Sequence, residues 1–369
     1  MMFDRRLLQN FDWVLLLLLL LIATISLINL YSATNQIWDA GGHQIFIKQI
    51  YWFLIGFAIF FMMTIFDYHI IERAAYPIFF SSVGLLILVL VMGKVFSGGQ
   101  RWISIAGITF QPSEFAKIAL VVILSKFFAG QGEYTEYRLR DLWRPAILIA
   151  IPFVLIVKEP DLGTALMLVI IFISILLFMK INWKSLAIVL AVSIPSIPML
   201  FRFALKDYQR KRILTFLSPE NDPLGAGYHI IQSKIAVGSG LLWGKGYLKG
   251  TQTRLHFLPE QHSDFAFSVL AEEWGFAGSF VLIILYLLLV LWSLNIAKNS
   301  KDMFGSIMTV GIVSIVFWQL VINISMTIGL MPVVGIPLVF FSSGGSSIIS
   351  TMIGMGLLMN ISMRRFMFQ

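Results

Sequence analysis

The sequence predicts an all-α polytopic membrane protein of about ten transmembrane helices, with one long extracytoplasmic loop between helices 7 and 8. Three observations carry this. The chain of 369 residues is 58% hydrophobic and only 12% charged, where soluble domains carry about 25% charged residues; its mean hydropathy is +0.87. Apolar runs of bilayer-spanning length recur along it. Lysine and arginine cluster on alternate sides of those runs, the positive-inside pattern. Cysteine is absent, which excludes disulfides and thiolate metal sites. The net charge of +8 suits anionic lipid headgroups. Its cations form no basic stripe, which argues against nucleic acid.

Read at about 20 residues per crossing, the spans fall at 11–31, 50–66, 74–93, 110–129, 143–158, 162–180, 183–201, 267–297, 303–330 and 337–361. The first follows Arg5 and Arg6 and lacks a convincing cleavage site, so it reads as an uncleaved span with a cytoplasmic N-terminus. The last is rich in Gly and Ser and reads as partly unwound. Loops assigned to the cytoplasm hold Arg73, Lys126, Arg138, Arg140, Lys180, Lys298 and Arg364; short outer loops hold only Lys48, Lys94, Arg101 and Lys158. Both termini are then cytoplasmic. The long loop, about 202–266, lies outside and is exempt from the charge rule because of its length. Residues 1–369 read as a single membrane domain.

The polar residues gather in a few stretches. Phe257 to Phe267 closes the long loop and places Asp264 beside the next span. A carboxylate at the edge of hydrocarbon is paired, hydrated or functional. Gln111-Pro112-Ser113-Glu114 starts a helix, with Pro112 at N1 and Gln111 near the cap. Glu114 and Lys117 then share a face, as a packing ion pair or as a cavity wall. Arg101 beside Trp102 is an interfacial anchor or a phosphate clamp. In Lys158-Glu159-Pro160-Asp161, Pro160 breaks a helix and Asp161 caps the next one. Tyr228 to Ala236 has the spacing of an interfacial helix. Gly238, Gly240, Gly244, Gly246 and Gly250 fit a flexible loop better than an anion cradle, because no helix start follows them. The five histidines show no zinc spacing.

Gly99-Gln100-Arg101-Trp102-Ile103, Gln111 to Glu114, Glu159 to Thr164, Gly225 to Ser233, Phe257 to Phe267 and Gly344-Gly345-Ser346 follow one another in an order that resembles the SEDS family of bacterial shape, elongation, division and sporulation proteins. The resemblance runs over nearly the whole chain. It implies a ten-helix enzyme of the bacterial cytoplasmic membrane that polymerises lipid II into glycan strands on the outer face and releases undecaprenyl pyrophosphate. It also implies a class B penicillin-binding protein as partner, alongside other membrane proteins of the elongation complex. The family's essential aspartate falls on Asp264. Its cavity residues fall on Arg101, Glu114, Lys117, Glu159 and Asp161, with a loop arginine at Arg212 and further contacts at Gln232, Ser233 and His262. Two positions depart from the family pattern: Val339 follows Pro337-Leu338, and Ser343 precedes the Gly-Gly pair.

A lipid II polymerase needs a base for the attacking hydroxyl and positive charge against the leaving pyrophosphate. Arg101, Arg212, Lys117 or a divalent cation (Mg2+ or Mn2+) bridged by a carboxylate meets the second need; the sequence does not choose among them. Two other readings compete. One is a flippase or transporter of the lipid-linked precursor. The other is a non-catalytic scaffold that activates its penicillin-binding partner.

Overall fold

The computed structural model describes residues 9–35, 41–96, 99–105, 108–131, 137–182, 184–185, 187–188, 191, 207–222, 225–255, 257–258 and 260–365. The expected span at 183–201 lies almost wholly outside the described residues. The helices are α1 (Trp13–Asn35), α2 (His43–Ile65), α3 (Tyr68–Arg73), α4 (Ala75–Met92), α5 (Pro112–Ala129), α6 (Trp143–Lys158), α7 (Leu162–Phe178), α8 (Asp207–Leu217), α9 (Ala226–Ser239), α10 (Thr251–Arg254), α11 (Ala266–Lys298), α12 (Met303–Thr327) and α13 (Gly345–Arg364). Six of them, α1, α2, α4, α11, α12 and α13, are long and apolar enough to cross a membrane, and α7 is a shorter apolar helix. The expected spans α5 and α6 fall short of that measure: α5 carries Glu114, Lys117 and Lys126, and α6 has only 16 residues.

Local chemistry sets the helix starts. Aspartates accept backbone amides at four of them: Asp12 from Leu15 (3.2 Å), Asp67 from His69 (3.0 Å), Asp161 from Thr164 (3.1 Å) and Asp302 from Gly305 (2.6 Å). A side-chain oxygen there satisfies an amide that the helix itself leaves unpaired. Pro112 opens α5 behind Gln111, as its spacing predicts. The run read as a span at 337–361 becomes helical only at Gly345; residues 332–338 are irregular, with Gly335 at φ +74°, and 339–343 form turns and bends.

Helices α12 and α13 occupy the interior, whereas α2 and α4 turn most of their side chains outward. Asn360 on α13 donates to the carbonyls of Met63 (2.7 Å), Thr64 (3.3 Å) and Phe66, the frayed end of α2. Asp12 accepts from Trp292 on α11 (2.9 Å) and Ser362 on α13 (2.8 Å), tying three helices at one end of the bundle. At that same end Asp302 accepts from Tyr68 (2.6 Å) and pairs with His69 (2.9 Å).

One element was not anticipated. Between α4 and α5 the chain forms a three-stranded antiparallel sheet, β1 (Lys94–Phe96), β2 (Gly99–Ile105) and β3 (Ile108–Phe110), in the order β1-β2-β3. Ile103 faces Phe110, and Lys94 faces Trp102. The central strand carries Arg101.

Candidate active site

The site lies where β2, the start of α5, the α6–α7 break, the loop before α11 and the start of α13 meet. Arg101 extends from β2 to the α6–α7 break. Its guanidinium donates to the carbonyls of Glu159 (3.3 Å) and Pro160, and stands 3.9 Å from the Asp161 carboxylate. Asp161 caps α7 with one oxygen and accepts from the Thr164 hydroxyl (2.9 Å) and the Gln111 amide (3.4 Å) with the other. Gln111 in turn donates its backbone amide to the Ser346 hydroxyl (3.0 Å), joining α5 to α13.

Glu159 is fully buried, and neither of its carboxylate oxygens has a hydrogen-bond partner. Burial, with the Asp161 charge added, pushes its pKa up to about 8. Glu159 is therefore a neutral acid at pH 7, and the guanidinium beside it is held by carbonyls and by Asp161.

Asp264 is set by its backbone. A turn closes beneath it, with the amides of Ser263 (3.1 Å) and Phe265 (3.4 Å) bonding the Glu260 carbonyl. Asn323, buried on α12, donates to the Asp264 carbonyl (3.1 Å) and to the Ile336 carbonyl (2.9 Å). Burial first, then the charge of Glu260, pushes the Asp264 carboxyl up to about 6; Arg212 and Arg101 pull it down. The two arginines therefore act on Asp264 from different segments, Arg212 from an exposed position on α8. His262 stands 3.9 Å from Glu260, its carbonyl accepts from the Ser343 amide (2.9 Å), and burial holds its imidazole below the usual range. Position 343 thus enters the site through its backbone, so the serine there leaves this bond in place.

Glu114 and Lys117 form an ion pair at 2.8 Å, buried on α5, and Glu114 also accepts from Ser350 on α13 (3.4 Å). Gln232 is half-buried on α9. Ser233 is placed differently. It is wholly buried where α9 meets α11 and α12, and its hydroxyl bonds the Thr327 carbonyl (2.6 Å) and Ser268 (2.8 Å). That makes it a packing contact.

The glycine-rich stretch is neither flexible loop nor anion cradle. The amides of Lys245 and Gly246 bond the Glu272 and Glu273 carbonyls (3.0 and 2.9 Å). The Glu272 carboxylate accepts from Lys245 (2.7 Å) and from the amides of Thr251 (2.7 Å) and Gln252 (3.0 Å). The chain's own carboxylate takes the place an anion would fill. Among the described residues, no three His, Asp or Glu side chains gather as metal ligands.

Sequence reasoning passed over Asn323 and Glu260 as site residues. The signal for Asn323 was an amide inside an apolar run, one turn after Gln319; Glu260 stands within four residues of Asp264.

Membrane-crossing helices with charged residues converging at one rim around a partly buried aspartate define an integral membrane protein with a polar cluster at that rim. The chain belongs to the cell cycle protein family of FtsW, RodA and SpoVE, whose model matches residues 11–366. It is 39% identical over 358 residues to the peptidoglycan glycosyltransferase MrdB of Escherichia coli (strain K12), covering 97% of this chain and 95% of that protein. It is 32% identical to the peptidoglycan glycosyltransferase RodA of Treponema pallidum (strain Nichols), covering 97% and 98%. Its fold matches a chain from a solved structure on polymerization and crosslinking by a peptidoglycan synthase complex, with TM-score 0.83, 30% identity and coverage of 96% and 98%. It also matches the crystal structure of Thermus thermophilus RodA, with TM-score 0.72, 27% identity and the same coverage.

Proposed function

We propose that this protein is a peptidoglycan glycosyltransferase that polymerises lipid II into glycan strands during cell elongation. The observation that carries the reading is Asp264: a partly buried carboxylate whose backbone carbonyl is held by Asn323, with the charges of Arg101 and Arg212 acting on it. A carboxyl titrating at about 6 is mostly ionised at neutral pH and still basic enough to accept a proton. Asp264 removes the proton of the acceptor 4-hydroxyl as that oxygen attacks the anomeric carbon of the donor. The C–O bond to undecaprenyl pyrophosphate breaks, and the pyrophosphate leaves with its electron pair. Arg101 and Arg212 lie where they offset that charge. With one base and no second carboxylate cast as nucleophile, the anomeric carbon inverts. Neutral Glu159 keeps a second negative charge away from the leaving group.

The distribution of Lys and Arg supports an outer-face site with both termini in the cytoplasm. The likeness to a chain of a peptidoglycan synthase complex supports a partner that crosslinks the new strand, a class B penicillin-binding protein. The test is lipid II polymerisation by the purified protein with that partner, whose transpeptidase site is inactivated, wild type against Asp264→Asn. Loss of the base reduces strand synthesis by about 10²–10⁴-fold, while expression and partner binding stay normal. Strand synthesis at the wild-type rate in a folded variant overturns the assignment.

A further inference from the structure

Helix α11 runs from Ala266 to Lys298 but is broken at Gly275, where φ is +66° and ψ is −160°. The break frees two amides that a continuous helix would satisfy internally. The glycine-rich turn takes them up: Phe276 and Ala277 donate to the carbonyls of Leu241 (2.8 Å) and Leu242 (3.0 Å). Together with the Lys245 and Gly246 bonds, four main-chain hydrogen bonds run between turn and helix, two in each direction. Gly244, at φ +76°, lies so close that a Cβ there would sit 2.1 Å from the Glu273 carbonyl oxygen. The turn is therefore part of α11 in all but sequence.

What this rigid turn presents is apolar. Leu241 is 80% exposed, Leu242 64% and Trp243 82%. A soluble surface does not normally carry three such side chains in a row on an ordered turn. Their depth follows from α11. Residues 276–298 at 1.5 Å per residue measure about 34 Å, against about 30 Å of hydrocarbon. The break thus lies at the rim of the hydrocarbon layer, and the turn bonded to it lies at the same level. The outward apolar face of α11, with Phe276 and Phe280 exposed, runs up to it without interruption. Beside the turn, Trp243, Tyr247 and Trp274 border a groove of 450 Å³ between α1 and α11. Such aromatic side chains favour the boundary between acyl chains and headgroups.

We propose that Leu241-Leu242-Trp243 is a membrane-inserted anchor, which buries its side chains in the leaflet at which α11 begins and so fixes the depth of the segment carrying Asp264. This does not rest on the catalytic role of Asp264. The cysteine-free sequence makes the test direct. Trp243→Cys and Leu242→Cys in the full-length protein each accept one environment-sensitive fluorophore, in phosphatidylcholine nanodiscs with or without bromine on the acyl chains. Size-exclusion profiles identify folded material, and either variant alone suffices. The expected result is loss of fluorescence with brominated lipid and none with aqueous iodide. Quenching by iodide places the turn in water and overturns the proposal. Protection from both quenchers means that protein covers it, a second copy or a partner chain, and overturns it equally.

Discussion

Asp264 and Glu159 show how two carboxyls in one polar cluster acquire different protonation. Glu159 has no hydrogen-bond donor and Arg101 alone to pull it down, and is pushed up to about 8; Asp264 has both Arg212 and Arg101 and rises only to about 6. Polymerisation should therefore fall away on an acidic limb near pH 6, as the base becomes protonated. The sign of each neighbour follows: Glu260→Gln removes a charge that raises this pKa and moves the limb to lower pH, whereas Arg212→Gln moves it higher. A pH–rate profile of each variant checks both shifts, and an unmoved limb would detach Asp264 from the proton transfer. Asn323→Leu tests placement. It removes both carbonyl contacts with the same number of side-chain heavy atoms, and a base displaced by about 1 Å costs about 10²-fold in kcat. The KM for lipid II should change little, because Asn323 touches backbone only. At this scale the sequence made Asp161 and Glu114–Lys117 legible, since a cap and an i,i+3 pair are local geometry. The packing of Ser233 was not legible, because its burial depends on α11 and α12, far along the chain.

At the scale of elements, the docking of the glycine-rich turn is the feature that sequence reasoning could not reach. Five glycines in a short stretch look loose when their partners are unknown, and the partners here are Glu272 and Glu273 on another element. Glu272→Ala should strand the amides of Thr251 and Gln252 and leave the Lys245 ammonium with the Thr251 hydroxyl alone. Each such group costs about 1–3 kcal/mol, so the unfolding temperature in detergent should drop clearly, while Lys249→Ala, on the same turn, should leave it nearly unchanged. The small sheet was missed for a related reason. Its strands are as short as three residues, too brief for a period of two to stand out from a loop. Yet that sheet holds Arg101 against the α6–α7 break.

Across the whole molecule, the bundle and its charged rim were legible because the apolar runs and the positions of Lys and Arg are read directly from the chain. The membrane count was less so. Helix α5 combines three charged residues with burial, so packing reveals it as an interior element, whereas α6 is short, carries Pro152 and turns most of its side chains outward. Structure and chemistry are also divided between the two ends of the bundle. Asp302, which caps α12 and holds Tyr68 and His69, lies at the end of the bundle remote from Asp264. Asp302→Ala should cost about 1 kcal/mol in thermal unfolding, yet leave the polymerisation rate at moderate temperature close to wild type. A large rate loss without a stability loss would contradict that division.

Ser346 bonds the start of α5, Ser343 bonds the His262 carbonyl, and Ser350 reaches Glu114. All three contacts come from α13 or the turn before it, which the ribosome makes after every other part of the site. While the chain is still being threaded into the bilayer, Asp264 and Arg101 can already be in place, but the wall that joins their supports is still unwritten. The protein therefore meets its lipid first as an unfinished vessel, and its chemistry begins only when the closing helix arrives.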